Sequence, residues 1–146
     1  MPAIRRADVA QELFDLWHAI RRATLEKFNE DGLSFSRAKV LWTLEDSPLR
    51  ASQLAEAIHS AGATVTELVD ALAKDGLVTR TPDPNDRRAV LIDLTAAGRE
   101  VAKVSRAHKR RILDQIFDAL DAEELQQLKG LLAKLSASPN LQGASK

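Results

Sequence analysis

Asp86, Arg87 and Arg88 place one carboxylate beside two guanidinium groups in three consecutive residues. A guanidinium group on a protruding loop fits a narrow groove of negative potential, and a neighbouring carboxylate can hold one arginine in a fixed rotamer. The preceding residues, Pro82-Asp83-Pro84-Asn85, are of the types that form a stiff turn. The spacing therefore predicts a rigid loop tip that presents arginine to a negatively charged groove.

Two short apolar runs flank this turn, Leu77–Thr81 before it and Ala89–Leu94 after it. Such runs on either side of a turn predict a β-hairpin, which we call the wing. Ahead of the wing, Leu54–Ile58 has a short helical pattern, and a second helix is predicted at about Ala61–Asp75. Its apolar residues recur at i, i+3, i+4 and i+7, which predicts a buried stripe of Val65, Leu68, Val69 and Leu72. Two short helices followed by a hairpin make a winged helix-turn-helix, a DNA-binding arrangement.

The chain resembles the MarR family of bacterial transcriptional regulators over about Leu33–Leu135. The matching blocks are, in order, Lys39-Val40-Leu41-Trp42, Leu54-Ala55-Glu56, Leu68-Val69-Asp70-Ala71-Leu72, Gly76-Leu77-Val78-Thr79-Arg80, Asp83-Pro84-Asn85-Asp86-Arg87-Arg88 and Leu94-Thr95-Ala96-Ala97-Gly98-Arg99. The wing block followed by Leu-Thr-x-x-Gly-Arg is the most specific part. The resemblance implies a homodimer that binds double-stranded DNA at a pseudo-palindromic operator.

Further helices are predicted on both sides of the winged segment. An amphipathic pattern at about Ala7–Glu30 predicts a long first helix. Ser34 is a suitable N-cap for the helix that follows, and Thr95 for a helix reaching about Leu120. Asp121 opens a capping box for a last helix, in which leucines recur at spacings of three and four residues.

The predicted fold is one mainly α domain over residues 1–146, with a winged helix-turn-helix at about 34–95 and a small β-hairpin wing. The apolar faces of the helices at about 7–30 and 96–136 can pack within a single chain. Three such helices at the chain ends favour instead an intertwined two-fold dimer, with these helices as the dimerisation helices. The tail at 137–146 is small and polar, and we expect it to be disordered.

Charge is the feature that fits DNA binding least well, because the chain has 21 basic and 21 acidic residues and a net charge of +0. Residues 50–95 carry five Lys or Arg against seven Asp or Glu, whereas residues 96–116 carry six against two. The predicted helix after the wing has one basic face, which carries Arg99, Lys103, Arg106 and Arg110. This face is either solvated or in contact with phosphate.

Composition and motifs argue against other classes of protein. The absence of cysteine excludes a disulfide framework and a thiol switch. No apolar run approaches about 18 residues and the N-terminus lacks a signal-peptide core, so we expect a cytoplasmic protein. No P-loop, Gly-x-Ser-x-Gly or Gly-x-Gly-x-x-Gly motif occurs, and His18, His59 and His108 lack metal-ligand spacing. We therefore expect no catalytic residue, metal or cofactor.

The second predicted helix of the winged segment, the recognition helix, carries no Lys or Arg before Lys74. Reading of guanine by arginine is therefore not expected from it, whereas alanine can meet a thymine methyl group and threonine can bond phosphate or a base edge. Glu67 either accepts from cytosine N4 or merely faces solvent. The predicted DNA-contacting residues are Ser60, Ala61, Gly62, Ala63, Thr64, Thr66 and Glu67 and, on the wing, Arg80, Asp86, Arg87 and Arg88.

A small-molecule site is implied by the resemblance, since many members bind small aromatic or phenolic acids between the dimer region and the winged domain. Arg21 or Lys39 would supply the carboxylate partner. The two tryptophans either line such a site or pack in the core, and His18 beside Arg21 is either a ligand anchor or part of a surface pair. The candidate lining residues are Trp17, His18, Arg21, Phe35, Lys39 and Trp42.

The predicted function is a dimeric, sequence-specific DNA-binding transcriptional regulator, in the form of a repressor that a small effector releases from its operator. The alternative is a helical protein-interaction dimer with weak or no DNA binding, which the small acidic excess of residues 50–95 leaves open.

Overall fold

The computed structural model describes residues 3–32 and 34–142, and helices dominate them. In chain order the elements are α1 (Arg6–Glu30), α2 (Phe35–Leu44), β1 (Leu49–Arg50), α3 (Ala51–Ala57), α4 (Gly62–Lys74), β2 (Val78–Asp83), β3 (Asp86–Leu94), α5 (Ala96–Phe117), α6 (Ala122–Ser136) and α7 (Pro139–Gln142). The predicted fold class, mainly α with a hairpin wing, is confirmed. Within the described residues, no helix has the length and apolar character needed to cross a membrane.

Side-chain caps begin several helices at the predicted positions. Ser34 Oγ accepts from the Arg37 amide at 3.3 Å at the start of α2. Asp121 and Glu124 cap α6 reciprocally, with each carboxylate accepting from the other residue's amide at 2.9 Å. These bonds satisfy amides that the helix itself leaves without acceptors, which is why short polar residues mark helix starts in the sequence.

The winged helix-turn-helix is built around the buried stripe of α4. Val65, Val69 and Leu72 are buried, whereas Leu68, predicted to share that stripe, is only half-buried. The stripe packs in a core with side chains from α2, α3 and the sheet: Val40, Leu41, Leu44, Leu54, Ile58, Val78, Ile92 and Leu94. Gly76 ends the helix region with a φ of 72°, a conformation in which glycine is unstrained.

The sheet has three antiparallel strands in the order β1-β3-β2. Leu49 of β1 lies opposite Ile92, and Val78 of β2 lies opposite Leu94. The sequence predicts only the two hairpin strands. β1 was not anticipated because its two residues are too short to show an alternating pattern.

The base of the wing is tied to α5 by the Leu-Thr-x-x-Gly block. Thr95 Oγ1 donates to the Gly76 carbonyl at 2.7 Å and accepts from the Gly98 amide at 3.0 Å. Gly98 is buried against Leu77, where a Cβ atom would lie 1.9 Å from the Leu77 carbonyl oxygen. The block therefore requires glycine because helix and hairpin approach too closely for any side chain.

The chain divides into two compact units, residues 1–112 and residues 113–146. The first contains α1 to α4, the sheet and most of α5; the second contains the end of α5, α6 and α7. α7 is a single helical turn at Pro139–Gln142, inside the tail at 137–146 for which the sequence predicts disorder. Residues 143–146 of that tail lie outside the described part.

Candidate nucleic-acid interface

The N-terminal half of α4 presents a row of small and polar side chains. Ala61, Gly62, Ala63, Thr64, Thr66 and Glu67 are all exposed, and Ser60 is half-buried. The helix starts after a turn in which His59 has a φ of 53°, and its N-cap Ala61 supplies no side-chain acceptor. The first amides of α4 are therefore free to donate to a phosphate or a base edge.

The two threonines of this helix differ in what their hydroxyl groups can do. Thr66 Oγ1 donates to the Gly62 carbonyl at 3.0 Å, so its proton is used within the helix and its oxygen remains an acceptor. Thr64, one turn from Ser60, is exposed and also lines a cavity behind the helix. Of these two threonines, Thr64 is the one whose hydroxyl group forms no hydrogen bond within the described residues. It can therefore rotate toward a partner.

The wing tip is held by the buried carboxylate of Asp83, for which the sequence predicts only a place in the turn. Asp83 Oδ2 accepts from Arg50 Nε at 3.0 Å and from Nη2 at 2.7 Å, while Oδ1 accepts from the Asn85 amide at 2.9 Å. The Asn85 amide bond, followed by the Arg50 guanidinium, lowers the pKa of the Asp83 carboxyl below its ordinary value. The turn thus carries a charge-assisted link to the residue that precedes α3.

Asp86 does not orient a neighbouring guanidinium group, which corrects the role predicted for it. Its Oδ1 accepts from the Arg88 amide at 3.0 Å, and its Oδ2 lies 3.8 Å from Arg50 Nη2. The reason is local geometry: the Asp86 carboxylate faces the Arg88 amide two residues ahead and Arg50, and within the described residues it forms no ion pair with Arg87 or Arg88. Asp86 therefore stabilises the turn rather than the rotamers of the wing arginines.

The three arginines predicted to contact DNA from the wing are in two different states. Arg87 and Arg88 are exposed at the tip, and within residues 3–32 and 34–142 neither forms an ion pair. Arg80, further down β2, is paired through Nη2 with Asp70 Oδ1 of α4. Among the residues that the structure describes, the two tip arginines are the wing cations without an acidic partner.

The basic face predicted on α5 is partly neutralised by acidic residues of the same unit. Arg106 Nη2 lies 2.8 Å from Glu45 Oε1, and Arg99 Nη2 lies 3.6 Å from Asp93 Oδ1. The described residues provide no such partner for Lys103 or Arg110. For Arg99 and Arg106 the arrangement favours a solvated, internally paired face over phosphate contact.

A cavity of ≈ 630 Å³ lies behind the N-terminus of α4, between α1, α2 and the turn at His59. Five of the six residues predicted for a small-molecule site line it together. The full lining is Trp17, His18, Arg21, Leu25, Phe35, Ser36, Lys39, Ile58, His59, Ser60, Thr64 and Leu68. Lys39 Nζ donates to the Ile58 carbonyl at 3.1 Å, which connects α2 to the end of α3.

Trp42, the sixth predicted residue, is not among those that line this cavity. It is 8% exposed, and its indole Nε1 donates to Ser105 Oγ at 3.0 Å and to the Ala102 carbonyl at 3.2 Å. Burial of a large aromatic ring with its N–H group satisfied is the core role that the sequence left open for it. The prediction of Trp42 as a lining residue is therefore corrected.

Sequence reasoning missed Arg50 and Asp70, whose ion pairs hold parts of the candidate interface. Arg50 is a single arginine before a short helix, and Asp70 is one acidic residue on an exposed helix face. Neither has a local pattern that indicates its partner, because Asp83 lies 33 positions from Arg50 and Arg80 lies 10 positions from Asp70.

Known proteins share both the sequence pattern and the fold. A family model, MarR family, matches residues 33–90. The chain is 31% identical over 118 residues to the uncharacterized HTH-type transcriptional regulator YkoM of Bacillus subtilis (strain 168), covering 80% of this chain and 73% of that one. It is 28% identical over 131 residues to the HTH-type transcriptional repressor MdtR of the same strain, covering 89% and 84%.

A crystal structure of a probable transcriptional regulator from Pseudomonas aeruginosa is similar to this fold with a TM-score of 0.66 at 32% identity, covering 84% of this chain and 94% of that one. The relatives are regulators of transcription and not enzymes, and the resemblance inferred from the wing and the Leu-Thr-x-x-Gly block is confirmed. The chain belongs to the MarR family and is a DNA-binding transcriptional regulator.

Proposed function

We propose that the chain is a homodimeric repressor that reads a pseudo-palindromic operator and leaves it when a small aromatic or phenolic acid occupies the cavity behind α4. The observation that carries the DNA-binding part is the wing tip. Arg87 and Arg88 are exposed and free of intramolecular ion pairs within the described residues, on a turn that Asp83 and Arg50 hold in place. A rigid pair of free guanidinium groups is suited to the minor groove.

In this proposal the recognition helix enters the major groove with its small residues first. Ala61 and Ala63 allow the backbone to approach, and either methyl group can meet a thymine methyl. Thr64 bonds phosphate or a base edge, and Glu67 accepts from cytosine N4. Phosphate attraction then comes mainly from the wing, so operator binding should weaken strongly as salt rises.

Dimerisation is supported by apolar side chains that the described part of the chain leaves uncovered. On α1, Val9, Leu13, Phe14, Leu16 and Trp17 are each at least 44% exposed. On α6 no residue is buried, and Leu131 and Leu135 are 61% and 54% exposed. A soluble monomer rarely leaves such contiguous apolar faces in water, whereas a two-fold partner would cover them.

Light scattering tests the dimer directly. A mass near twice the 16.0 kDa of the chain at micromolar concentration supports it, since apolar faces of this size leave little stable monomer. A mass of one chain across the whole dilution series contradicts it.

The effector part rests on where the cavity lies. Its walls include Trp17 and Phe35 as flat apolar surfaces, Arg21 and Lys39 as cations, and Ser60 at the turn into the recognition helix. A planar acid bound there would contact α1 and this turn at once, and so would change the position of α4. Release from DNA requires the acid to bind the DNA-incompetent arrangement more tightly, by about 5 kcal/mol for a nearly complete switch.

Selection of binding sites from a random duplex pool, followed by titration of the selected duplex, tests the proposed function. We expect a two-fold symmetric consensus, with half-sites about one helical turn apart, and release by some members of a panel of benzoate-like and phenolic acids, together with a change in tryptophan fluorescence. If no sequence is selected and the binding of duplex DNA does not change with salt, the result would favour the protein-interaction dimer. Symmetric selection with no response to any acid would remove the effector alone.

A further inference from the structure

Asp70 of α4 and Arg80 of β2 form an ion pair that joins the recognition helix to the wing. Their side chains are 62% and 42% exposed, so both remain accessible from solvent. We propose that Asp70 competes with DNA phosphate for Arg80 and thereby lowers the affinity of the interface for DNA of any sequence. This inference rests on the DNA-binding surface proposed above.

The position of the pair supports this role. Asp70 lies one helical turn after Glu67 on the exposed face of α4, eight residues beyond Gly62 and therefore about 12 Å along the helix axis. The small residues at the start of α4 are suited to the base edges, and a residue this far along a groove-bound helix lies nearer the phosphate backbone. Arg80 lies on the wing strand opposite Ile92 of β3, so the pair bridges the two elements that approach DNA.

The Asp70–Arg80 pair reduces the number of arginines that are available to phosphate. Residues 50–95 carry more acidic than basic side chains, and only five of them are Lys or Arg. Arg50 is already engaged by Asp83, and Arg80 by Asp70, which leaves Arg87 and Arg88 as the wing arginines with no acidic partner in the described part of the chain. Each engaged arginine is one fewer cation for phosphate in the free protein.

An exposed ion pair is weak enough to be exchanged for a phosphate contact. Binding of DNA therefore requires Arg80 to leave Asp70 or to share its donors, and this lowers affinity equally for all sequences. Removal of the Asp70 charge should release Arg80 and strengthen attraction to the backbone without changing which bases are read.

The chain offers a matched control five residues further along, at the C-terminal end of the same helix. Asp75, the C-cap of α4, pairs with Arg37 at 3.1 Å, and these side chains are 51% and 44% exposed. Asp75→Asn removes the same charge from a pair of similar exposure, away from the N-terminus of α4. It measures the effect of net charge alone.

The experiment measures binding by fluorescence anisotropy at several salt concentrations, for wild type, Asp70→Asn, Arg80→Gln, the double variant and Asp75→Asn. The probes are a duplex of about 30 base pairs selected by the wild-type protein and a scrambled duplex of the same composition. We expect Asp70→Asn to bind both probes about two- to fivefold more tightly than Asp75→Asn does, in line with the strength of an exposed ion pair. Its salt slope should steepen by up to about 0.9, the contribution of one additional phosphate contact.

The double variant decides between competition and simple repulsion. Competition predicts that Asp70→Asn has little effect once Arg80 is glutamine, because there is no arginine left to release. Equal tightening in both backgrounds would show that Asp70 only repels phosphate, and weaker binding of Asp70→Asn would show that it positions Arg80; either result overturns the inference. If Arg87→Ala/Arg88→Ala leaves wild-type affinity unchanged on both probes, the proposed interface itself fails, and the inference fails with it.

Discussion

Gly98 and Gly130 are both helical glycines, yet substitution by alanine should move stability in opposite directions at the two positions. At Gly98, a Cβ atom would lie 1.9 Å from the Leu77 carbonyl oxygen, although real Cβ contacts essentially never fall below 3.0 Å. The start of α5 and the base of the wing must therefore separate by about 1 Å. The Leu77 oxygen belongs to the backbone rather than to a flexible side chain, so a change of rotamer cannot relieve the contact.

The cost of Gly98→Ala has two parts. Forcing one methyl group into a packed contact costs about 1–3 kcal/mol. The displaced Leu77 carbonyl also accepts from the Thr95 amide at 3.1 Å, and loss of this bond adds about 1 kcal/mol. A total decrease of about 2–4 kcal/mol in the free energy of unfolding corresponds, for a chain of this size, to a fall in Tm of roughly 5–15 °C.

Gly130 in α6 provides the control. A Cβ atom built there has no described heavy atom within 4 Å, and the position is exposed. Gly130→Ala should raise the free energy of unfolding by about 0.5–1 kcal/mol, because alanine loses less backbone entropy in a helix. Any difference in sign between the two variants then reflects the contact at Leu77 and not the residue type.

Urea unfolding followed by circular dichroism measures both variants, at one protein concentration because dimerisation contributes to stability. Gly98→Ala should also bind the selected operator more weakly at temperatures where it is fully folded, since the wing base has moved. A Gly98→Ala protein as stable as wild type would refute the reasoning, because it would mean that α5 and the hairpin do not approach each other as described.

Three further outcomes are expected. Arg87→Ala/Arg88→Ala should weaken binding to most DNA sequences while circular dichroism and light scattering stay unchanged, and unchanged affinity would show that the wing does not contact DNA. Glu67→Ala should relax the preference at one base pair per half-site by about 1–3 kcal/mol if it accepts from cytosine, whereas uniformly tighter binding would show repulsion only. Because the pKa of Asp83 is lowered in the folded state, its contribution to stability is present above its ordinary value of 3.8 and is lost as pH falls through the folded pKa. Asp83→Asn should therefore flatten the acid side of the stability profile, and a profile identical to wild type would indicate that the bonds of Asp83 to the Asn85 amide and to Arg50 do not persist in solution.

Local chemistry explains which parts of the fold could be predicted. Ser34 and Asp121 cap their helices through bonds to amides three residues ahead, so the signal and its target lie within one stretch of sequence. The hairpin turn at Pro84-Asn85 and the positive φ of Gly76 are likewise set by neighbouring residues. Such features depend on short-range sterics and hydrogen bonds, which a single sequence displays.

Only some of the residues that line the cavity behind α4 could be predicted, because the lining depends on tertiary packing. The resemblance led to five of its lining residues on α1 and α2, but not to Ile58, His59 or Leu68. Their exposure to the cavity depends on how α3 and α4 pack against α1 and α2. The prediction for Trp42 was wrong for the same reason. Trp42 has the same apolar character as Trp17, but its indole N–H group bonds to α5.

The sequence by itself predicted the order of the main helices and the hairpin, the caps of α2, α5 and α6, and two guanidinium groups on a stiff hairpin tip. Only the tertiary structure decided which charges are neutralised: Arg50 by Asp83, Arg80 by Asp70 and Arg106 by Glu45. The partners of these pairs lie 33, 10 and 61 positions apart. Periodicity indicates which face of a helix or strand is polar, but the partner of a charge depends on which other element approaches that face, and that approach is set by the packing of the whole core.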